Sequence, residues 1–98
     1  MEVTEVGKAL GSRTRISILS LLADGARSSI ETFEQYDDAH EDKKRRETIY
    51  RELENLVEAG LVAKEYDEED GKIVYRLRHN KIVFDCRAGT VEPHDEGD

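Results

Sequence analysis

KKRRETIYRELENLVEAGLVAKEYDEEDGKIVYRL, residues 43–77, is the stretch on which the fold turns. Ile49, Leu53, Leu56 and Val57 recur at the three- and four-residue spacing of one helix face, which predicts a helix over 44–59. Gly60 then supplies the left-handed residue that commonly follows a helix. Residues 61–66 and 72–77 are β-prone segments separated by an acidic loop, 67–71, that ends in glycine. That order of strand, turn and strand predicts a β-hairpin. The polar side of the predicted helix carries Arg46, Glu47, Thr48, Arg51 and Asn55, with Tyr50 near the boundary.

Toward the amino terminus, Val3, Val6, Ala9 and Leu10 give 2–10 the pattern of a short amphipathic helix closed by Gly11. Ser12 suits the cap of a second helix whose Ile16, Ile18, Leu19, Leu22 and Ala23 form a broad apolar stripe before Gly25. Ser28 and Glu31 have the spacing of a capping box, and Ile30, Phe33 and Tyr36 follow on one face of a third short helix. Residues 37–42 (DDAHED) read as a solvated turn or a frayed helix end. Past the hairpin, 81–85 (KIVFD) reads as a short strand or an extended packed segment, and Gly89, Pro93 and the terminal acids predict disorder. The expected architecture is mostly α with a small β-hairpin. One domain would occupy 1–88, followed by an acidic disordered tail, 89–98.

The 98 residues fit a single domain and leave little room for a separate catalytic or ligand-binding unit. A net charge of −8 argues on its own against a polyanionic partner. Its distribution points the other way, because 43–51 holds five bases against one acid, while 65–70 holds five acids and 92–98 four. An acidic chain of this kind fits a salty cytosol. Cys86 is the only cysteine, which leaves no internal disulfide and no Cys-rich zinc site; beside Phe84 it is expected to be a small buried residue. His40, His79 and His94 lack ligand spacing, so neither metal nor cofactor is expected. No nucleophile, base and orienting residue can be assembled, which disfavours an enzyme. No apolar run reaches the length of a membrane span and 1–10 lacks the features of a signal peptide, so a cytoplasmic location is expected.

Three helices followed by a hairpin is the order of a winged helix-turn-helix. KALGSRTRISILSLLADG, residues 8–25, resembles the opening helices of ArsR-type repressors. ETIYRELENLVEAGLV, residues 47–62, resembles the recognition helix and its exit in many bacterial and archaeal regulators, including the Fur-like TVYR pattern. The paired cysteines of ArsR-type metal sensors and the His- and Cys-rich domain of Fur-like proteins are both missing here, which disfavours metal sensing.

The resemblance implies a sequence-specific regulator of double-stranded DNA, more specifically a repressor, with the 44–59 helix in the major groove. Arg45, Arg46, Thr48, Tyr50 and Arg51 would face base edges, and Lys43 and Lys44 would hold the phosphate backbone. Ser28 and Ser29 would offer backbone amides to a phosphate, and Lys72 on the returning strand would reach the backbone. Arg13 and Arg15 read as surface residues or partners of nearby acids, with phosphate contact as the alternative. The acids at 67–70 would be repelled by phosphate and are left out of the contact set. A homodimer on an inverted repeat is expected, with 2–10 and 81–84 as candidate interface segments. The rival reading is a protein-interaction winged helix that uses its acidic wing and tail.

Overall fold

The computed structural model describes residues 1–94, and in it local cap chemistry sets where most helices begin. The Glu2 carboxylate accepts from the Thr4 and Glu5 amides and starts α1 (Val3–Leu10). Ser12 accepts from the Arg15 amide and starts α2 (Arg13–Leu22). Ser28 starts α3 (Ser29–Ala39) with both halves of the capping box, its hydroxyl accepting from the Glu31 amide and its own amide donating to the Glu31 carboxylate. The fourth helix, α4 (Arg46–Glu58), differs because its N-cap, Arg45, makes no side-chain capping bond.

The end of α4 shows why the chain turns where it does. The Gly60 amide donates to the Val57 carbonyl at 3.0 Å and the Leu61 amide to the Leu56 carbonyl at 3.1 Å, the paired bonds of a Schellman motif. Gly60 takes φ +81°, a region closed to most L side chains. Leu56 and Leu61, the two residues that such a motif brings into apolar contact, are both buried. The chain leaves directly into β1 (Val62–Asp67), which pairs antiparallel with β2 (Lys72–Leu77) from Val62 opposite Leu77 to Asp67 opposite Lys72.

The core lies between α2, α3, α4 and this hairpin. Ile18, Ile49, Leu53 and Leu56 are wholly buried, joined by Leu22, Tyr36, Val62 and Tyr75. Tyr75 also exchanges backbone hydrogen bonds with Arg27, at 2.7 and 3.0 Å, so the connection between α2 and α3 runs as a third extended segment beside β2. This pair fixes the hairpin to the start of α3.

The carboxy-terminal part departs from the expectation of disorder over 89–98. Residues 82–93 form a second hairpin, β3 (Ile82–Asp85) with β4 (Thr90–Pro93), in register from Ile82 opposite Pro93 to Asp85 opposite Thr90. Its turn repeats the chemistry of the first. In each, an aspartate (Asp67, Asp85) accepts from two amides of the loop, and a glycine four residues on (Gly71, Gly89) has positive φ and donates back to the aspartate's carbonyl. Val91 is buried at 5% exposure, and it lines an apolar groove with Val3, Val6 and Phe84. Cys86, expected inside, is exposed in the turn. Among the described residues the fold is therefore four helices with two antiparallel hairpins, a mixed α/β arrangement. The last four residues of the expected tail, 95–98, lie outside the described residues. No helix among the described residues is long and apolar enough to cross a membrane.

Burial of Val91 makes the second hairpin part of the folded unit. Val91→Ala should cost about 1 to 3 kcal/mol in urea unfolding, the scale for removing buried methyl groups. A stability unchanged within experimental error would show that β4 contributes nothing to the fold.

Candidate functional site

The basic stretch around the start of α4 is reorganised by the acids that precede it. Lys43 lies 3.7 Å from the Asp37 carboxylate and also donates to the Asp37 carbonyl, and Lys44 lies 3.1 Å from Asp42. The hydrogen bond to Asp42, then its charge, holds the Lys44 ammonium above its ordinary pKa. Both acids come from 37–42, whose helical part continues α3 to Ala39. The two expected backbone-gripping lysines therefore carry carboxylate partners, though exposed pairs of this kind open readily to salt and competing anions.

Arg45, Arg46 and Arg51 are different. Among the described residues no carboxylate pairs with any of them, in a chain with 23 acids to offer. Arg45 occupies the uncapped end of α4, and Arg51 stands exposed one and a half turns along. Arg46 holds its guanidinium 5.5 Å from the Phe33 ring centre, a cation–π contact that anchors it to α3. Thr48 is half-buried and Tyr50 is 47% exposed, with the Lys64 ammonium 5.7 Å from its ring centre.

Ser28 and Lys72 do not stand as anticipated. Glu31 takes both: its carboxylate accepts from the Ser28 amide at 2.8 Å and from the Lys72 ammonium at 2.9 Å. The Ser28 amide, followed by Lys72, holds the Glu31 carboxyl below the usual carboxylate range, and Glu31 in turn raises Lys72. The amide expected to meet a phosphate is thus already bonded to an anion. Lys64 and Arg76, the other bases of the first hairpin, are also paired, with Glu54 and Glu65 at 2.9 Å each. Every base of β1 and β2 has a carboxylate partner, which leaves the 67–70 acids uncompensated apart from a 3.9 Å contact between Asp70 and Lys72. Ser29 remains at the mouth of a recess described below.

Other polar residues prove structural. Arg15 donates to the Lys8 carbonyl at 2.6 Å and to that of Ala9, satisfying the end of α1, and lies 3.4 Å from Glu52 on α4. Asn55 donates to the same Glu52, so it is not presented outward. His40 stacks on Tyr36 and places its two ring nitrogens 3.1 Å from the Tyr36 carbonyl and the Ser17 hydroxyl, tying the end of α3 to α2.

Sequence reasoning missed a feature between α3 and α4. Ile30, expected on one helix face with Phe33 and Tyr36, is 56% exposed whereas Tyr36 is buried. With Ser29 and Phe33 of α3 and Arg46, Glu47 and Tyr50 of α4 it lines a shallow recess of about 250 Å³. Ile30 and Phe33 share the periodicity of a core face, so spacing alone could not separate them from Tyr36. The signal that could have found it is position, because Ile30 is only the second residue of a capped helix and projects past the core.

Among the described residues no three His, Cys, Asp or Glu side chains are grouped to hold a metal ion. No protein-family model matches the chain, and no curated protein matches it.

The geometry beneath this surface yields a pH dependence. Buried Tyr75 donates its hydroxyl to Glu54 at 2.6 Å, and that bond, with Lys64 second, keeps the Glu54 carboxyl below its ordinary 4.5. A carboxyl lowered by folding stabilises the native state above its unfolded pKa, and that contribution is lost as pH falls through the lowered value. Glu54→Gln should accordingly be less stable than the parent near neutrality, and the gap should close on acidification below about 4.5 in urea unfolding. A gap independent of pH would show that the charge of Glu54 has no part in it.

Proposed function

We propose that this chain is a winged helix-turn-helix regulator that binds double-stranded DNA sequence-specifically, with α3 and α4 as the helix-turn-helix, β1 and β2 as the wing and α4 as the recognition helix. One observation carries the reading: Arg45, Arg46 and Arg51 have no carboxylate partner among the described residues at the start and amino-terminal half of α4, while the neighbouring lysines and the bases of β1 and β2 are paired. Basic residues at a helix start oppose its dipole, so an arrangement that keeps them there and unneutralised fits a polyanion better than it fits stability. Arginine is also the residue that grips guanine O6 and N7 bidentately. In the same reading the wing stays off the phosphates, since its bases are occupied and its tip is acidic.

The partner arrangement follows from a second apolar surface. Leu10 of α1 and Val83 and Phe84 of β3 are exposed, Phe84 at 55%, and grooves lined by Leu10, Ile82, Phe84 and Val91 run between these elements. A second copy of the chain covering this face gives a homodimer that presents two α4 helices to the half-sites of an inverted repeat. Repression in the cytoplasm, by blocking access of polymerase to a promoter, is the action this reading favours, since a bound helix-turn-helix dimer can occlude DNA without a further activity. The exposed acids at 67–70 favour one alternative, a winged-helix module that binds a basic protein partner.

Selection from a random duplex pool, followed by titration in a potassium chloride series, separates these readings. The regulator reading expects an enriched inverted repeat whose affinity falls as salt rises, and the absence of enrichment from folded protein would transfer the case to the acidic wing. Arg51→Ala should lose about 1 to 3 kcal/mol on the selected site and little on random DNA, whereas equal losses on both would assign Arg51 to phosphate. Lys72→Ala should leave the salt slope unchanged, because a lysine already neutralised by Glu31 releases no counterion from DNA. Sedimentation of Phe84→Glu should show a monomer where the parent chain is a dimer, and a dimeric variant would move the interface elsewhere.

A further inference from the structure

We infer that the recess between α3 and α4 takes up the 5-methyl group of a thymine in the major groove, which makes Ile30, Phe33 and Tyr50 specificity-determining residues. The inference rests on the DNA-binding reading above and adds to it the chemistry of one base position.

The recess is lined by apolar Ile30, Phe33 and the Tyr50 ring, with the charged side chains of Arg46 and Glu47 at its edge on α4. Ile30 and Tyr50 leave 56% and 47% of their surface uncovered on either side of Phe33, an exposed apolar cluster that gains by being covered. At about 250 Å³ and open to solvent, the space falls below the range of ordinary small-molecule sites. Shallow and open, it receives the edge of a planar base with the methyl group that edge bears and does not enclose a whole ligand.

Charge selects the molecule that brings this methyl group. Arg46 is pinned at the rim by its contact with Phe33, and Arg45 and Arg51 lie on the same helix without carboxylate partners. The occupant must therefore carry an apolar group within a strongly anionic frame, and the thymine 5-methyl is the apolar group that the DNA major groove presents. Glu47, also at the rim, argues against a phosphate in the recess itself, because its carboxylate would repel one. The same carboxylate can accept from an exocyclic amino group of an adjacent cytosine, while Arg46 donates to guanine. A rim with one donor and one acceptor matches base edges.

The test uses the duplex recovered by selection. Each thymine of a half-site is replaced in turn by deoxyuridine, which removes the methyl group and keeps every hydrogen-bonding atom, and affinity is measured at one salt concentration. One position should lose about threefold to tenfold with the parent protein, the scale of one desolvated methyl group. With Ile30→Ala that same replacement should cost little, since the two changes remove one contact. Ile30→Ala should keep the salt slope of the parent and its circular dichroism spectrum, as befits an exposed residue that meets no phosphate. Uniform tolerance of deoxyuridine by the parent overturns the inference while leaving DNA binding intact. So does a deoxyuridine penalty that is the same in parent and Ile30→Ala. Failure to enrich any duplex overturns the DNA-binding reading itself, and the two failures are thus distinguishable.

Discussion

Tyr75 is the residue on which three parts of this small fold converge. Its backbone pairs with Arg27 and ties the α2–α3 connection to β2, its ring is 1% exposed within the core, and its hydroxyl donates to Glu54 on α4. A short hairpin alone is marginal in water and needs to pack against something. Here the packing and the two backbone bonds come from one residue, so the position of the hairpin and the starting point of α3 are set together. Burial, followed by the bond to Glu54, pushes the Tyr75 phenol far above its ordinary range. It therefore remains a donor, and the Glu54 carboxylate remains its acceptor, across ordinary conditions.

That constraint propagates to the candidate surface. Because Arg27 is held, Ser28 caps α3 in a defined place, and Glu31 returns across the cap to meet Lys72 on β2. The charges of the hairpin are thereby taken up in internal pairs, and what remains outward is the acidic loop on one side and the arginines of α4 on the other. The individual pairs are exposed and contribute little to stability. Their consequence is local to α4 and its neighbours, where Lys43, Lys44, Lys64 and Lys72 are paired and Arg45, Arg46 and Arg51 have no carboxylate partner among the described residues. Net charge of the whole chain says nothing about this pairing.

Much of the fold was legible because its signals are local. Ser12, the Ser28–Glu31 box, Gly60 and the 67–71 turn each act within a few residues, and each appears where its spacing places it. The second hairpin was missed although its turn has the same Asp and Gly four residues apart, because 86–94 has only Val91 to bury and reads as a solvated tail. Partner choice was illegible for a different reason. Glu31 and Lys72 are 41 residues apart, and Arg15 and Glu52 37 apart, so nothing in a local window tells a paired base from an unpaired one. Ile30 illustrates a third limit: periodicity identifies a face, and only the packing of α3 against α4 shows how far along the helix that face stays covered.

The two apolar surfaces left open are distinguished by the charges around them. The recess at Ile30 is lined by Arg46, which lacks a carboxylate partner among the described residues, beside Glu47, and Arg45 precedes Arg46 in the chain, a setting that favours an anionic partner over another basic surface. The groove between α1 and β3 is lined by Val3, Val6, Gly7, Leu10, Ile82, Phe84 and Val91, with no Lys, Arg, Asp or Glu among them. An uncharged apolar lining suits a two-fold partner, which can cover it with the same face of a second copy, and it gives no advantage to a strongly charged molecule. A chain this short buries proportionally little surface, so exposed Ile30, Tyr50, Val83 and Phe84 are apolar area withheld from its own core. Under the proposed function both withheld surfaces would be contact surfaces, the recess for nucleic acid and the α1–β3 face for a second copy of the chain.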